Sequence, residues 1–178
     1  MNPIETLKTE HNLIARMFTV IKKSIKKIKT SKELDPIFVD LVIDFFETYS
    51  HRNHHGKEEN ILFKHLEEKK LSPEDKKVME TLVNEHNSLS DKVGDLVYAK
   101  SRYVRGEKKA MDEVINNLEG LMEFYPKHVQ KEDSGFFPKA MEYFSDEEKN
   151  QITKEFEEFD KNMIHQRYVS LIGELEKQ

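Results

Sequence analysis

Apolar residues recur along this chain at alternating three- and four-residue spacing, the period of a helix with one buried face. Ile4, Leu7, Ile14, Phe18, Ile21, Ile25 and Ile28 form the first such stripe, and His11 stands inside it. Asn2-Pro3-x-Glu5 reads as a cap, a proline at the first helical position and an acid that reaches back, so this helix starts there and runs to about Lys29. Asp35-Pro36 opens a second helix, predicted to run through Gly56 to about Lys70. Ser72-Pro73-x-Asp75 caps a third, which ends near Arg105-Gly106 and carries Met79, Leu82, Leu89, Val93 and Leu96, again with a histidine, His86, in the stripe. The fourth carries Met111, Val114, Leu118, Leu121 and Tyr125, then His128 and Glu132. Pro126 is expected to kink it, and Ser134-Gly135 to end it. A shorter fifth helix, capped by Ser145-Asp146-Glu147-Glu148, bears Ile152, Phe156, Phe159 and Met163 and is expected to lie on the outside of the others.

Composition agrees with this all-α pattern. With 37% apolar and 35% charged residues, 6 Gly and no Trp, the chain favours long helices with solvated faces over a turn-rich β fold. A chain of 178 residues fits one domain and buries roughly 70% of the surface of its unfolded form. There is no Cys, which excludes disulfides, thiolate zinc sites, thiolate-ligated iron–sulfur clusters and cysteine nucleophiles, so any metal must sit on His and carboxylate. No run of about 18 apolar residues occurs and no secretory leader precedes the first helix, which predicts a soluble cytoplasmic protein with no membrane partner. The net charge of -5 opposes phosphate binding, and the lysines at 22, 23, 26, 27 and 29 lie on the polar side of the first stripe, so nucleic acid is not expected as a partner.

The chain repeats itself. Thr6-Leu7-x-x-Glu10-His11-Asn12 matches Thr81-Leu82-x-x-Glu85-His86-Asn87 in register, and His54-x-x-x-Glu58-x-x-x-Leu62-Phe63 matches His128-x-x-x-Glu132-x-x-x-Phe136-Phe137. Each half is thus a helical hairpin with one histidine on its first helix and His-x-x-x-Glu on its second. Residues i and i+4 project from one helical face, so His54 with Glu58 and His128 with Glu132 can each reach one cation or two adjacent ones. A lone histidine in an apolar stripe is more often a hydrogen-bonded core residue than a ligand. Four of them beside two stripe glutamates would leave a core of unpaired polar groups unless a cation neutralised it. Imidazole suits iron, zinc and copper, and carboxylates can bridge two hard cations.

On these residues the sequence resembles the hemerythrin-like, or HHE cation-binding, family. The likeness rests on Glu10-His11, on His54-His55-Gly56-Lys57-Glu58-Glu59-Asn60-Ile61-Leu62-Phe63, on Glu85-His86, and on His128-Val129-Gln130-Lys131-Glu132-Asp133 with Phe136-Phe137-Pro138, and it spans roughly residues 3 to 142. It implies an antiparallel up-down four-helix bundle over residues 1–142; the fifth helix pattern, in residues 143–178, is expected to pack on that bundle in a single domain. It further implies a carboxylate-bridged centre of two non-haem iron ions held by His11, His54, Glu58, His86, His128 and Glu132; zinc fits the same ligand types. The sequence departs from oxygen-carrying hemerythrins at the third helix, where those proteins place a His-x-x-x-His pair and this chain has Ser90 four residues after His86.

His51 and His55 share the broad face of helix two with His54 and Glu58, and either is a candidate fifth nitrogen outside the core set. Glu10 and Glu59 read as hydrogen-bond acceptors or surface charges, His65 and His165 as surface residues, and Tyr49, Tyr98, Tyr103 and Tyr125 as packing residues. The expected partner is a small molecule: dioxygen or nitric oxide bound or sensed at an open site. The alternatives are an enzyme that consumes peroxide, oxygen or nitric oxide, and a protein of iron storage or donation. No nucleophile elbow or phosphate-binding glycine loop points to other chemistry.

Overall fold

A computed structural model describes residues 2–161 and 164–177, and among them all regular structure is helical. Helix α1 is Pro3–Ser31. Asn2 accepts from the Ile4 amide at 3.1 Å while Glu5 reaches back to the Asn2 amide, and Lys32 closes the other end in the left-handed conformation. Helix α2 starts on the Asp35 cap as Pro36–Asp44 and continues, largely with π-type winding, through Phe45–His55 and Glu58–Leu62 into Phe63–Glu67. Helix α3, Pro73–Val104, is capped by Ser72 and followed by a turn in which Gly106, at φ 101°, takes a conformation that a side chain would oppose.

Helix α4 starts as Ala110–Gln130, widens to π winding at Lys131–Phe136 and runs on through Phe137–Ala140 into a last tight turn, Met141–Tyr143. The helix passes through Pro126 and past Ser134-Gly135, so the end expected there is not found. Phe136 and Phe137 are both buried, and their burial holds the chain along the helix axis.

The stripes read from the sequence face inward. Leu7, Ile14 and Ile21 of α1, Leu82 and Leu96 of α3, and Leu118 and Leu121 of α4 are fully buried, each stabilising the fold by about 1.5–3 kcal/mol. The apolar interior is in two parts. One gathers around Ile14, Phe45, Leu96 and Leu118, the other around Leu7, Leu62, Leu82 and Phe137. Between these clusters, on the same helices, lie the buried histidines and glutamates.

The C-terminal segment holds two helices where the sequence pattern predicts one. Helix α5, Asp146–Phe159, has the expected Ser145 capping box and buries Ile152 and Phe156. Met163, expected on the same stripe, lies outside the described residues. Helix α6, Ile164–Leu175, returns across α1 and α2, burying Tyr168 and Ile172; the Tyr168 hydroxyl donates to Asp44 and Arg16 pairs with Glu176.

Candidate metal centre

Four helices contribute to one buried polar layer. His11 comes from α1, His54 and Glu58 from α2, His86 from α3, and His128 and Glu132 from α4; none is more than 3% exposed. The two carboxylates stand in the middle. One oxygen of Glu132 is 3.2 Å from His11 Nε2, while the other is 3.2 Å from His128 Nε2 and 3.4 Å from His86 Nε2. Glu58 is arranged the same way, 3.5 Å from His54 Nε2 on one side and 3.3 Å from His86 Nε2 on the other. None of these inner atoms has a hydrogen-bond partner, although each is buried. An unpaired buried polar atom costs about 1–3 kcal/mol, so this layer is destabilising as it stands.

The outer faces of the rings, by contrast, are all satisfied. His11 Nδ1 lies 3.1 Å from Asp133, His54 Nδ1 2.9 Å from Glu10, His86 Nδ1 2.6 Å from Glu59 and His128 Nδ1 2.9 Å from Glu85. A carboxylate can only accept here, so each Nδ1 carries a proton, and each Nε2, the nitrogen that presents a lone pair whenever its ring is neutral, faces inward. Lys57 donates to Glu10 and Lys131 to Glu85, fixing two of those acceptors in turn.

His55 joins this layer. It is 2% exposed, lies stacked on the His86 ring at 3.9 Å between centroids, and has both nitrogens unpartnered. Donor atoms of His55, His86 and His128 converge within 4.8 Å of one another, and so do those of His11, His54, Glu58 and Glu132. His51, the other candidate on sequence, is exposed and does not converge with either group. The π winding explains the choice: a wider turn rotates less per residue, so the adjacent His54 and His55 both face the interior.

Electrostatics reflect the crowding of charge. Burial opposes a charged His11 ring, but Asp133 and Glu132 beside it raise it to about 10. Burial and the charge of Glu132 push Glu58 well above the usual carboxylate range. Burial pulls His54 down to about 4, helped by the charge on His11, and the His55 ring falls well below its ordinary value through burial and the imidazoles around it. Without a cation, then, the layer distributes protons unevenly among like groups. A cation would replace those protons and give the orphaned lone pairs a partner.

Several outer residues were readable only in part. Glu10 and Glu59 are acceptors behind His54 and His86, one of the two readings offered for them. Glu85, Asp133, Lys57 and Lys131 carry the family likeness in the sequence without a role of their own, although the internal repeat places Glu10 with Glu85, Lys57 with Lys131 and Glu59 with Asp133. His65 and His165 are not free surface groups: His65 pairs with Glu155 at 2.8 Å and His165 with the Tyr49 hydroxyl at 2.6 Å. Among the tyrosines, Tyr98 is exposed and Tyr103 accepts from the Leu34 amide. Tyr125 packs on Phe18, yet its hydroxyl is buried without a partner, and its ring lies 6.3 Å from that of His11 and 6.2 Å from that of His128.

The hemerythrin HHE cation-binding domain matches residues 2–140. The chain belongs to this family. Neither a curated protein nor a solved structure matches it. Hemerythrin HHE domains bind cations, and the converging His and Glu groups of this hemerythrin-family chain can hold metal. No helix among the described residues is long and apolar enough to cross a membrane.

Proposed function

We propose that this hemerythrin-family chain is a non-haem di-iron protein that binds or senses dioxygen or nitric oxide. His11 and His54 would hold one iron, His86, His128 and His55 the other, with Glu58 and Glu132 bridging them. The observation that carries this reading is the inward set of buried, unpartnered Nε2 and carboxylate atoms, opposite four Nδ1 atoms that all have acceptors. Nitrogen and carboxylate donors without sulfur suit iron, and zinc shares the nitrogen preference. The reading takes the four long helices as an antiparallel up-down bundle, in keeping with their short connections, with α5 and α6 packed on it as part of one domain.

Bound iron would supply reversible redox chemistry and positions left open by five imidazoles and two bridging carboxylates. The chain's own groups do the rest. Asp133, Glu10, Glu59 and Glu85 hold the rings in their tautomers, and the two apolar clusters keep bulk water away. The Tyr125 hydroxyl, held protonated by burial and by Glu132, is free to donate to a small ligand. A cavity of about 220 Å³ reaches His55 past Ser50, Ser90 and Val93, and so leads a small molecule to the His86 side.

That cavity favours a second reading, consumption of peroxide, oxygen or nitric oxide. Glu47 and His51 line its outer part and are placed to deliver protons. Stopped-flow optical measurement on anaerobically reduced, iron-loaded protein separates the two. Stoichiometric spectral change on adding dioxygen or nitric oxide, reversed by removing the gas, supports binding. Steady-state loss of either gas, or of added hydrogen peroxide, supports turnover, and the absence of any spectral change or loss with all three overturns both readings.

A further inference from the structure

Lys57 is 0% exposed, an unusual place for an ammonium group, and two carboxylates from different parts of the chain hold it. One is Glu10 of α1, the acceptor behind His54. The other is Asp160, immediately after α5, whose Oδ2 lies 2.6 Å from Lys57 Nζ. A continuous path of charge-assisted hydrogen bonds therefore runs from the C-terminal segment to the centre: Asp160, Lys57, Glu10, then His54 Nδ1. The matching path in the other half, Lys131 to Glu85 to His128, has no third carboxylate among the described residues, and Lys131 is 37% exposed.

The backbone is shaped for this contact. A Cβ on Gly56 would lie 3.0 Å from Phe159 Cζ, so the missing side chain lets the Phe159 ring sit directly on α2. That seat sets Asp160 over Lys57. Beyond it, the hydrogen bond between Tyr49 and His165 and the one from Tyr168 to Asp44 tie the last helix to the same stretch of α2.

We propose that Asp160 is a positioning residue for the metal position beside His54, so that the C-terminal segment braces one of two otherwise matched half-sites. The proposal rests on the metal-centre reading above. An ammonium donates in three directions. Held by Asp160 on one side, Lys57 engages only one oxygen of Glu10 and leaves the other for His54 Nδ1–H. Without Asp160, Lys57 is free to turn toward both Glu10 oxygens and compete with the imidazole for them, and His54 loses its fixed orientation. By linkage, metal bound at that position holds the C-terminal segment more firmly in place.

Anaerobic calorimetric titration of the full chain with Fe(II) tests this, with His54→Ala and His128→Ala assigning the two binding steps. In Asp160→Asn the step lost in His54→Ala weakens about tenfold, the lower end of the range for groups that orient ligands, while the other step is unchanged. Asp160→Glu recovers part of the loss. Trypsin cleaves after Lys161 more slowly in the metal-loaded wild type than in the metal-free protein, and Asp160→Asn removes that difference. Where Asp160→Asn does not fold, Phe159→Ala, which loosens the seat without altering a charge, weakens the same step. Two unchanged steps, or equal weakening of both, overturn the proposal and leave the metal centre standing. A wild-type chain that takes up no Fe(II) overturns the metal-centre reading and this proposal with it.

Discussion

Helices α1–α2 and α3–α4 carry the same outer groups in the same register, yet the two hairpins hold them in different surroundings. Glu10 serves His54 as Glu85 serves His128, and Lys57 stands behind one as Lys131 stands behind the other. In the first hairpin the lysine is buried under the C-terminal segment; in the second it faces solvent. The second hairpin, in turn, is joined by His55, lent by α2 across the layer. A repeat explains why the groups match. Their differences come from what each half packs against, which makes the two halves internal controls for one another.

The most severe way to break the comparison is to remove a group both halves share. Glu132 faces His11 on one side and His86 with His128 on the other, so Glu132→Ala is expected to abolish binding at both positions. Metal analysis of the purified variant checks this, and retention of one full equivalent would contradict the bridging arrangement.

Next comes the lysine pair. Lys57→Met strands the buried Glu10 beside Asp160 and should destabilise the chain by about 3 kcal/mol, whereas Lys131→Met, at a pair that solvent reaches, should cost about 1 kcal/mol or less. Urea unfolding of the two variants measures both, and equal losses would mean that the two halves are not differently braced.

His55 and His51 sharpen the assignment of the fifth nitrogen. His55→Leu is expected to weaken one metal-binding step at least tenfold, on the scale of about 10–100-fold seen for groups around a metal, and His51→Leu to leave both steps unchanged. Calorimetric titration distinguishes them; the reverse pattern would assign the role to His51.

The pH dependence tests the same centre without a substitution. Metal-free His11 is raised to about 10 and Glu58 is raised well above its usual range, so at neutral pH the cation displaces protons from the centre. Affinity should therefore fall by about tenfold per pH unit on going from pH 8 to pH 6 for each proton displaced. Titration in weak buffer measures the released protons directly, and affinity independent of pH would contradict the electrostatic picture.

Much of this was legible in the sequence because it is local. The Asn2, Asp35, Ser72 and Ser145 caps depend on neighbours a few residues away, and the apolar stripes depend on helical period alone. The internal repeat carried His11, His54, Glu58, His86, His128 and Glu132 to one layer by the same local logic. His55 was not separable from His51, because regular helical spacing gives no sign of the π winding that turns adjacent residues inward together. The end of α4 was misplaced at Gly135 because the burial of Phe136 and Phe137 is a tertiary effect that outweighs a local stop signal. Asp160 has no pattern of its own. Its partner Lys57 is far away in the chain, and only the packing of α5 on Gly56 brings them together.

The central claim is that the orphaned inner atoms exist to hold two irons. It is tested most directly by measuring the metal content of protein expressed without added metal, then repeating the count after chelation and anaerobic reloading with Fe(II). Two irons per chain, with near-ultraviolet absorption that changes when dioxygen or nitric oxide is admitted, is the predicted result. Fewer than two irons at saturation, or two irons with no optical response to either gas, would contradict it.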